Sequence, residues 1–410
     1  MKDEMQRPLP DAVTDYITQE RCKRTLVELV QVPSPLTPLY EEEPQLKAFI
    51  ATAVEPRLRA MGIETIHYDA MGNLIAEAGK KANGRSLMLI SNAMNQPQST
   101  MANAYVGEVR DGAPYGLPGE VVLGKGASEQ KAVMAAMLTA LEALTAAGIA
   151  IDGHLIFLCC LSGETGKHDA IRSVVEGAGV RADMAILGGQ SLRLSLGNRG
   201  RIDVHITVNG KASHSSQPYE GCSAVTGAME LIRMLTEEID LSREDPDLGR
   251  ATMAVTRLVS FPQSTHTIQD RAEITIDRRL LPGDDPEAAF AEIAGIVGKL
   301  EQKTDPASGL AWKANASLGP FMYPSRIYAD GKVANLIRES MVDITGREPE
   351  CYFQTNAFDQ GYLNHVGIEC ANFGPGEFRF AHTDLDMASI NRTRDAALIY
   401  SRAIIKYLCE

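Results

Sequence analysis

No stretch of the chain holds the roughly 18 consecutive apolar residues that a membrane-spanning helix needs. The first residues, MKDEMQRPLPDA, lack the apolar centre of a secretory signal. Positive charge is also short: 40 Lys and Arg stand against 53 Asp and Glu, a net charge of −13. That deficit argues against a broad nucleic-acid or anionic-membrane surface. It leaves room for a small anionic ligand held by a few Arg or His side chains. The seven Cys show no C-x-x-C spacing. Cys159 and Cys160 are adjacent on an apolar run, so they face opposite sides of a strand. They read as reduced core residues of a cytoplasmic protein. Internal repeats and low-complexity segments are absent as well.

With 410 residues, the expectation is two domains rather than one core. Apolar residues recur at helical spacing over 12–33 and 43–61. IETIHYDAMGNLIAEAG reads as strand, turn and strand, turning at Gly72-Asn73. SLMLISNA, HLIFLCCLS and DMAILGG read as buried strands. SEQKAVMAAMLTALEALTAAG reads as a helix with Ser128 at its N-cap and Gly148 as its stop. Strands alternating with helices predict an α/β fold, with a mainly parallel sheet covered by helices.

Near residue 200 the pattern changes. Strand RIDVHITVNG, helix SAVTGAMELIRMLTEEI, strands ATMAVTRLVSF and RAEITIDRRLL, helix DPEAAFAEIAGIVGKLEQ and strand AWKANASLG follow in order. That order is βαββαβ, a ferredoxin-like α+β unit. Residues 199–313 are therefore expected to form an inserted domain. Residues 1–198 and 314–410 would form the larger one, with hinges near 198 and 314.

The predicted strands end in polar or Gly-rich loops: SNAMNQP (91–97), GKGASEQK (124–131), LSGETG (161–166), LGGQS (187–191) and FGPGEFRFAHTDLD (373–386). Ligands of open α/β sheets bind at the carboxyl ends of strands. The ionisable residues in those loops include Glu129, Glu164 and His382. Two carboxylates and an imidazole could hold one divalent metal. The same residues also fit plain capping and surface ion pairs. His168 reads as a surface residue at a helix entry.

The order of these motifs resembles the family of zinc aminoacylases, acetylornithine deacetylases, succinyl-diaminopimelate desuccinylases and glutamate carboxypeptidases. GKGASEQK is similar to that family's G-R-G-x-x-D-x-K, and SGETG to its E-E-x-G. GKASHSSQPYEGCSAV, DRRLLPGDD and FGPG followed by AHTDLD match further family segments. The resemblance implies a catalytic domain with an inserted lid and a homodimer formed through that lid. It also implies a small, carboxylate-bearing substrate and a site of two zinc ions with a Glu as general base.

Carried over residue by residue, that site is depleted. Asn92 stands at the position of the first His ligand, and Met94 at that of its orienting Asp. The bridging Asp falls on Glu129, the general base on Gly163, and the first-metal carboxylate on Gly189. Glu164 and His382 match the remaining ligands. The resemblance thus implies at most one zinc-like divalent ion, on Glu129, Glu164 and His382. His214 matches a lid His that polarises the scissile carbonyl; the alternative is a surface or capping His. Arg279 matches an arginine near the substrate carboxylate, or forms a lid ion pair with Asp277. Asn92 and Asn356 are further candidates for contact with substrate.

Three activities remain open on this reading. One is a hydrolase of small N-acyl amino acids, dipeptides or related amides. Another is a metal-free enzyme using Glu129, Glu164 and His382 as acid and base groups. The third is a non-catalytic relative that binds a small ligand. Restoring His at 92, Asp at 94 and Glu at 189 is expected to raise metal content.

Overall fold

A computed structural model describes residues 9–97, 100–163 and 165–410. The chain forms two compact units. One comprises Met1–Gly197, Arg326–Phe353 and Tyr362–Glu410; the other comprises Asn198–Ser325 and Gln354–Gly361.

The first unit is built on a nine-stranded sheet. Its centre runs His154–Cys160, Ser86–Asn92, Met184–Gln190 and Glu369–Gly376, each parallel to the next. Antiparallel strands flank that centre, Leu74–Ala78 on one side and Leu194–Asn198 on the other. The parallel strands read as continuous apolar runs because both their faces are covered. Leu87, Leu89, Leu155, Phe157 and Ile186 are all buried. Each such side chain contributes about 1.5–3 kcal/mol by leaving water. Helix Ala132–Ala146 is buried around most of its circumference, and packs against helices Gln19–Val30 and Ile390–Ile404. No disulfide forms among the described residues, and Cys159 and Cys160 lie in the buried strand.

Local chemistry sets several loop positions. Strands Thr65–Tyr68 and Leu74–Ala78 pair across a turn at Gly72, whose φ of 111° suits glycine. Asp69 Oδ1 accepts hydrogen bonds from the amides of Met71, Gly72 and Asn73 in that turn. Asn73 in turn accepts from Leu161 N at 2.8 Å, which fixes the exit of strand His154–Cys160. Gly148, with φ 65°, ends helix Ala132–Ala146 as expected. Ser128 does not cap that helix. A π-helical turn, Ala127–Lys131, precedes it, and the side chain of Asp386 receives Ser128 N instead.

The second unit holds a four-stranded antiparallel sheet in the order Thr252–Phe261, Arg271–Leu280, Gly200–Asn209, Lys313–Met322. Helices Ala224–Glu238 and Pro286–Lys299 complete the βαββαβ order. The expected boundary at 314 is corrected: it falls inside a strand. Lys313–Met322 pairs with Gly200–Asn209 from Lys313↔Asn209 to Met322↔Arg201, so the unit extends to Ser325.

Candidate functional site

In the first unit, the loop Gly124–Lys131 is held from below by Asp386. Asp386 Oδ2 accepts Gly126 N at 2.7 Å, and Oδ1 accepts Ser128 N at 2.8 Å. Burial pushes the Asp386 carboxyl above its ordinary range, while those two amides pull it back. Lys125 and Lys131 are both buried in the same loop. Lys125 Nζ donates to Thr383 O at 2.8 Å, and Lys131 Nζ to Val32 O at 2.9 Å. Lys131 also lies over the rings of Phe49 and Tyr105. Burial lowers its ammonium to about 7, against the pull of Asp386.

This scaffold presents Glu129. Its carboxylate is buried, and Oε1 pairs with Nε2 of His382, whose ring is half-exposed. His382 has a φ of 62°, a left-handed backbone that is uncommon outside glycine and often found at functional positions. The structure thus brings together Glu129 and His382. Glu164 lies outside the described residues. Its neighbour Ser162 donates through Oγ to Glu41 Oε1, a buried carboxylate from the turn Tyr40–Glu42. Glu41 escaped the sequence reading, because the acidic run EEE looks like a solvated surface.

The other half of the site is closed. Asn92 ends strand Ser86–Asn92 and is only 5% exposed. Its carboxamide lies against Gly163: a Cβ there would be 2.1 Å from Asn92 Nδ2. A Cβ on Gly189 would be 2.6 Å from Phe373 N and 2.8 Å from Phe373 Cα. Met94 is fully buried in the core. Asn95 ties the loop down, accepting from Ser34 Oγ at 3.0 Å and donating to Gln96 O at 2.6 Å. The expectation that restoring side chains at 92, 94 and 189 would raise metal content is therefore corrected. Main-chain atoms occupy the space that a side chain on residue 189 would need.

Asn92 and Gly189 present no side chain of a type that ordinarily ligates zinc. The pair Glu129 and His382 offers donor types that suit a divalent ion at the second position. Among the described residues, no group of three or more His, Cys, Asp or Glu side chains is placed to hold a metal.

His168 is not a surface residue. It is 3% exposed, with its ring 5.4 Å from that of Tyr362. Three candidates lie in the second unit. His214 is exposed, and its Nδ1 lies 2.8 Å from Ser216 Oγ. Arg279 makes a two-point ion pair with Asp277, at 2.8 and 3.1 Å. Arg201 joins the same cluster through Asp203 and Asp277. Asn356 is exposed within the 354–361 segment.

Comparison with known proteins shows what the chain is similar to. Residues 196–305 match the M20 peptidase dimerisation domain. The chain is 25% identical to an acetylornithine deacetylase of Myxococcus xanthus, covering 95% of this chain and 98% of that protein. It is 24% identical to a succinyl-diaminopimelate desuccinylase of Xylella fastidiosa, over 85% of this chain and 88% of the relative. The aminopeptidase PepT of Bacillus cereus shares the fold with a TM-score of 0.74 at 19% identity, covering 96% and 100% of the two chains. The motif order, the inserted antiparallel domain and these relatives agree: the chain is similar to the M20 metallopeptidases and deacylases, and its residues 196–305 match their dimerisation domain.

Proposed function

We propose that this protein is a hydrolase of small N-acyl amino acids or dipeptides that works with at most one metal ion. The buried Glu129 carboxylate paired with His382, beside a closed first-metal position, carries the proposal. Glu129, Glu164 and His382 would hold the ion, which when bound polarises a substrate carbonyl and acidifies a water molecule. The residues around it have separate tasks. Asp386 fixes the loop that presents Glu129 through the amides of Gly126 and Ser128. Burial of Glu129 excludes water from one side of the pair and strengthens its electrostatic grip. No carboxylate stands at 163 to serve as general base. His214 and Arg279, from the second unit, are proposed to contact the substrate carbonyl and carboxylate, and Asn356 to line the ligand. The match to a dimerisation domain supports a homodimer through that unit.

The test is elemental analysis of the purified protein together with turnover of an N-acyl amino acid and dipeptide panel. About one zinc per chain, lost in His382→Ala, is expected. Zinc content that is unchanged by His382→Ala would sink the one-ion site.

The direct Glu129–His382 contact also favours a second reading, in which the pair transfers protons without a metal. Turnover that survives exhaustive chelation would select it; turnover abolished by chelation and restored by zinc would exclude it.

A further inference from the structure

The two glycines that replace family carboxylates are closed in different ways. At Gly189 the obstructing atoms are Phe373 N, Phe373 Cα and Asn372 C, at 2.6, 2.8 and 2.9 Å from an added Cβ. All are main-chain atoms of Glu369–Gly376, which is bonded in parallel register to Met184–Gln190. They cannot retreat without opening the centre of the sheet. At Gly163 the obstructing atoms are Nδ2, Cγ and Oδ1 of Asn92, at 2.1, 2.8 and 3.2 Å. These three atoms belong to one side chain. The Gly163 backbone lies outside the left-handed region, so an L-residue could adopt it.

Hydrogen bonding does not explain why Asn92 sits there. Its Oδ1 is buried and has no hydrogen-bond partner among the described residues. A buried acceptor left in that state is unfavourable. What the carboxamide supplies at this place is volume.

We infer that Asn92 is a plug: its side chain fills the space of a residue-163 side chain, so position 92 controls whether the site can carry a carboxylate at 163. Position 189, walled by main chain, cannot be reopened from position 92. The functional meaning rests on the proposed assignment of Gly163 and Gly189 to the general base and first-metal carboxylate. The packing relation does not.

A double-mutant cycle on the full chain tests it. Gly163→Ala adds only the Cβ that meets Asn92. Thermal unfolding of Gly163→Ala should fall by about 2–6 °C. In the Asn92→Ala background the same substitution should lose less than half of that. Gly189→Ala should lower the midpoint at least as much, and Asn92→Ala should leave that loss within about 1 °C of its original size. If Gly163→Ala yields no folded protein, recovery of folded protein in Asn92→Ala/Gly163→Ala counts as the expected rescue. A Gly163→Ala midpoint equal to the unmodified protein's would overturn the inference. So would an equal loss in both backgrounds, or failure to fold in both. Zinc content measured on the same samples separates the two proposals. No zinc in the unmodified protein would strike the one-ion site and leave the Asn92–Gly163 coupling standing.

Discussion

One end of the candidate site presents a buried carboxylate paired with an imidazole, Glu129 with His382. The other end presents an amide packed on a glycine and a glycine packed on main chain, Asn92 on Gly163 and Gly189 on Phe373. Glu129 follows strand Glu120–Leu123 of a separate three-stranded sheet, whereas Asn92 and Gly189 lie on strands of the nine-stranded one. The contrast teaches that, under the proposed assignment, the two ends differ in space as well as in donors: neighbouring atoms fill the positions where side chains at 163 and 189 would go.

The largest effect should come from breaking the intact end. Glu129→Ala removes the buried carboxylate, and kcat/KM on any substrate of the panel should fall by about 10²–10⁴-fold. A loss of less than about fivefold would place the chemistry elsewhere.

Restoring the closed end should do almost nothing to metal content. The triple variant Asn92→His, Met94→Asp and Gly189→Glu is expected to bind no more zinc than the unmodified protein and to unfold at a lower temperature. An added equivalent of zinc by elemental analysis would show that the Phe373 backbone yields.

Between these lies the support under Glu129. Asp386→Ala leaves the amides of Gly126 and Ser128 without their acceptor, at about 1–3 kcal/mol. Chemical denaturation should register that loss, and kcat should drop with it as the Glu129 loop relaxes. Unchanged stability would mean that water replaces the carboxylate at no penalty.

A smaller effect concerns pH. The Lys131 ammonium, ordinarily near 10.5, is lowered to about 7 in the folded chain. Between those values the unfolded chain holds a proton that the folded chain has shed, so stability should rise with pH across that window. Below about 7 both states are protonated and the burial penalty is present in full. Lys131→Met should flatten the slope of unfolding free energy between pH 7 and 10. An equally steep slope in that variant would assign the dependence to other groups.

The smallest expected change is at Arg279. Its ion pair with Asp277 is partly exposed, so Arg279→Lys should shift stability by no more than about 1 kcal/mol. A rise in KM without a fall in kcat would reveal contact with substrate.

Much of this was readable in the residues. Period and turn chemistry located the hairpin at Gly72 and the glycine stop at Gly148, because both depend on neighbours in the chain. The motif order carried the resemblance, and the βαββαβ order after residue 200 pointed to the inserted unit. What escaped depends on partners distant in sequence. His168 looks like a surface residue until Tyr362 packs on it. Ser128 looks like an N-cap until Asp386 arrives from the far end of the chain. The boundary at 314 fails because strand pairing with Gly200–Asn209, not composition, decides where the second unit stops. Gly163 and Gly189 read simply as a missing general base and a missing ligand, since no sequence pattern tells a vacancy from a filled space.

The chain passes between the units at Gly197/Asn198 and Ser325/Arg326, and again on either side of Gln354–Gly361, so the second unit is not one continuous insertion. Ile327 N donates to Leu196 O at 2.8 Å in the first unit, and Ser325 Oγ lies 2.9 Å from Asn198 Oδ1 in the second. Hydrogen bonds within each unit thus tie the first two passages together, while Gln354–Gly361 is a second, separate excursion. Any exchange of the second unit must therefore replace two segments of the chain, 198–325 and 354–361, rather than one.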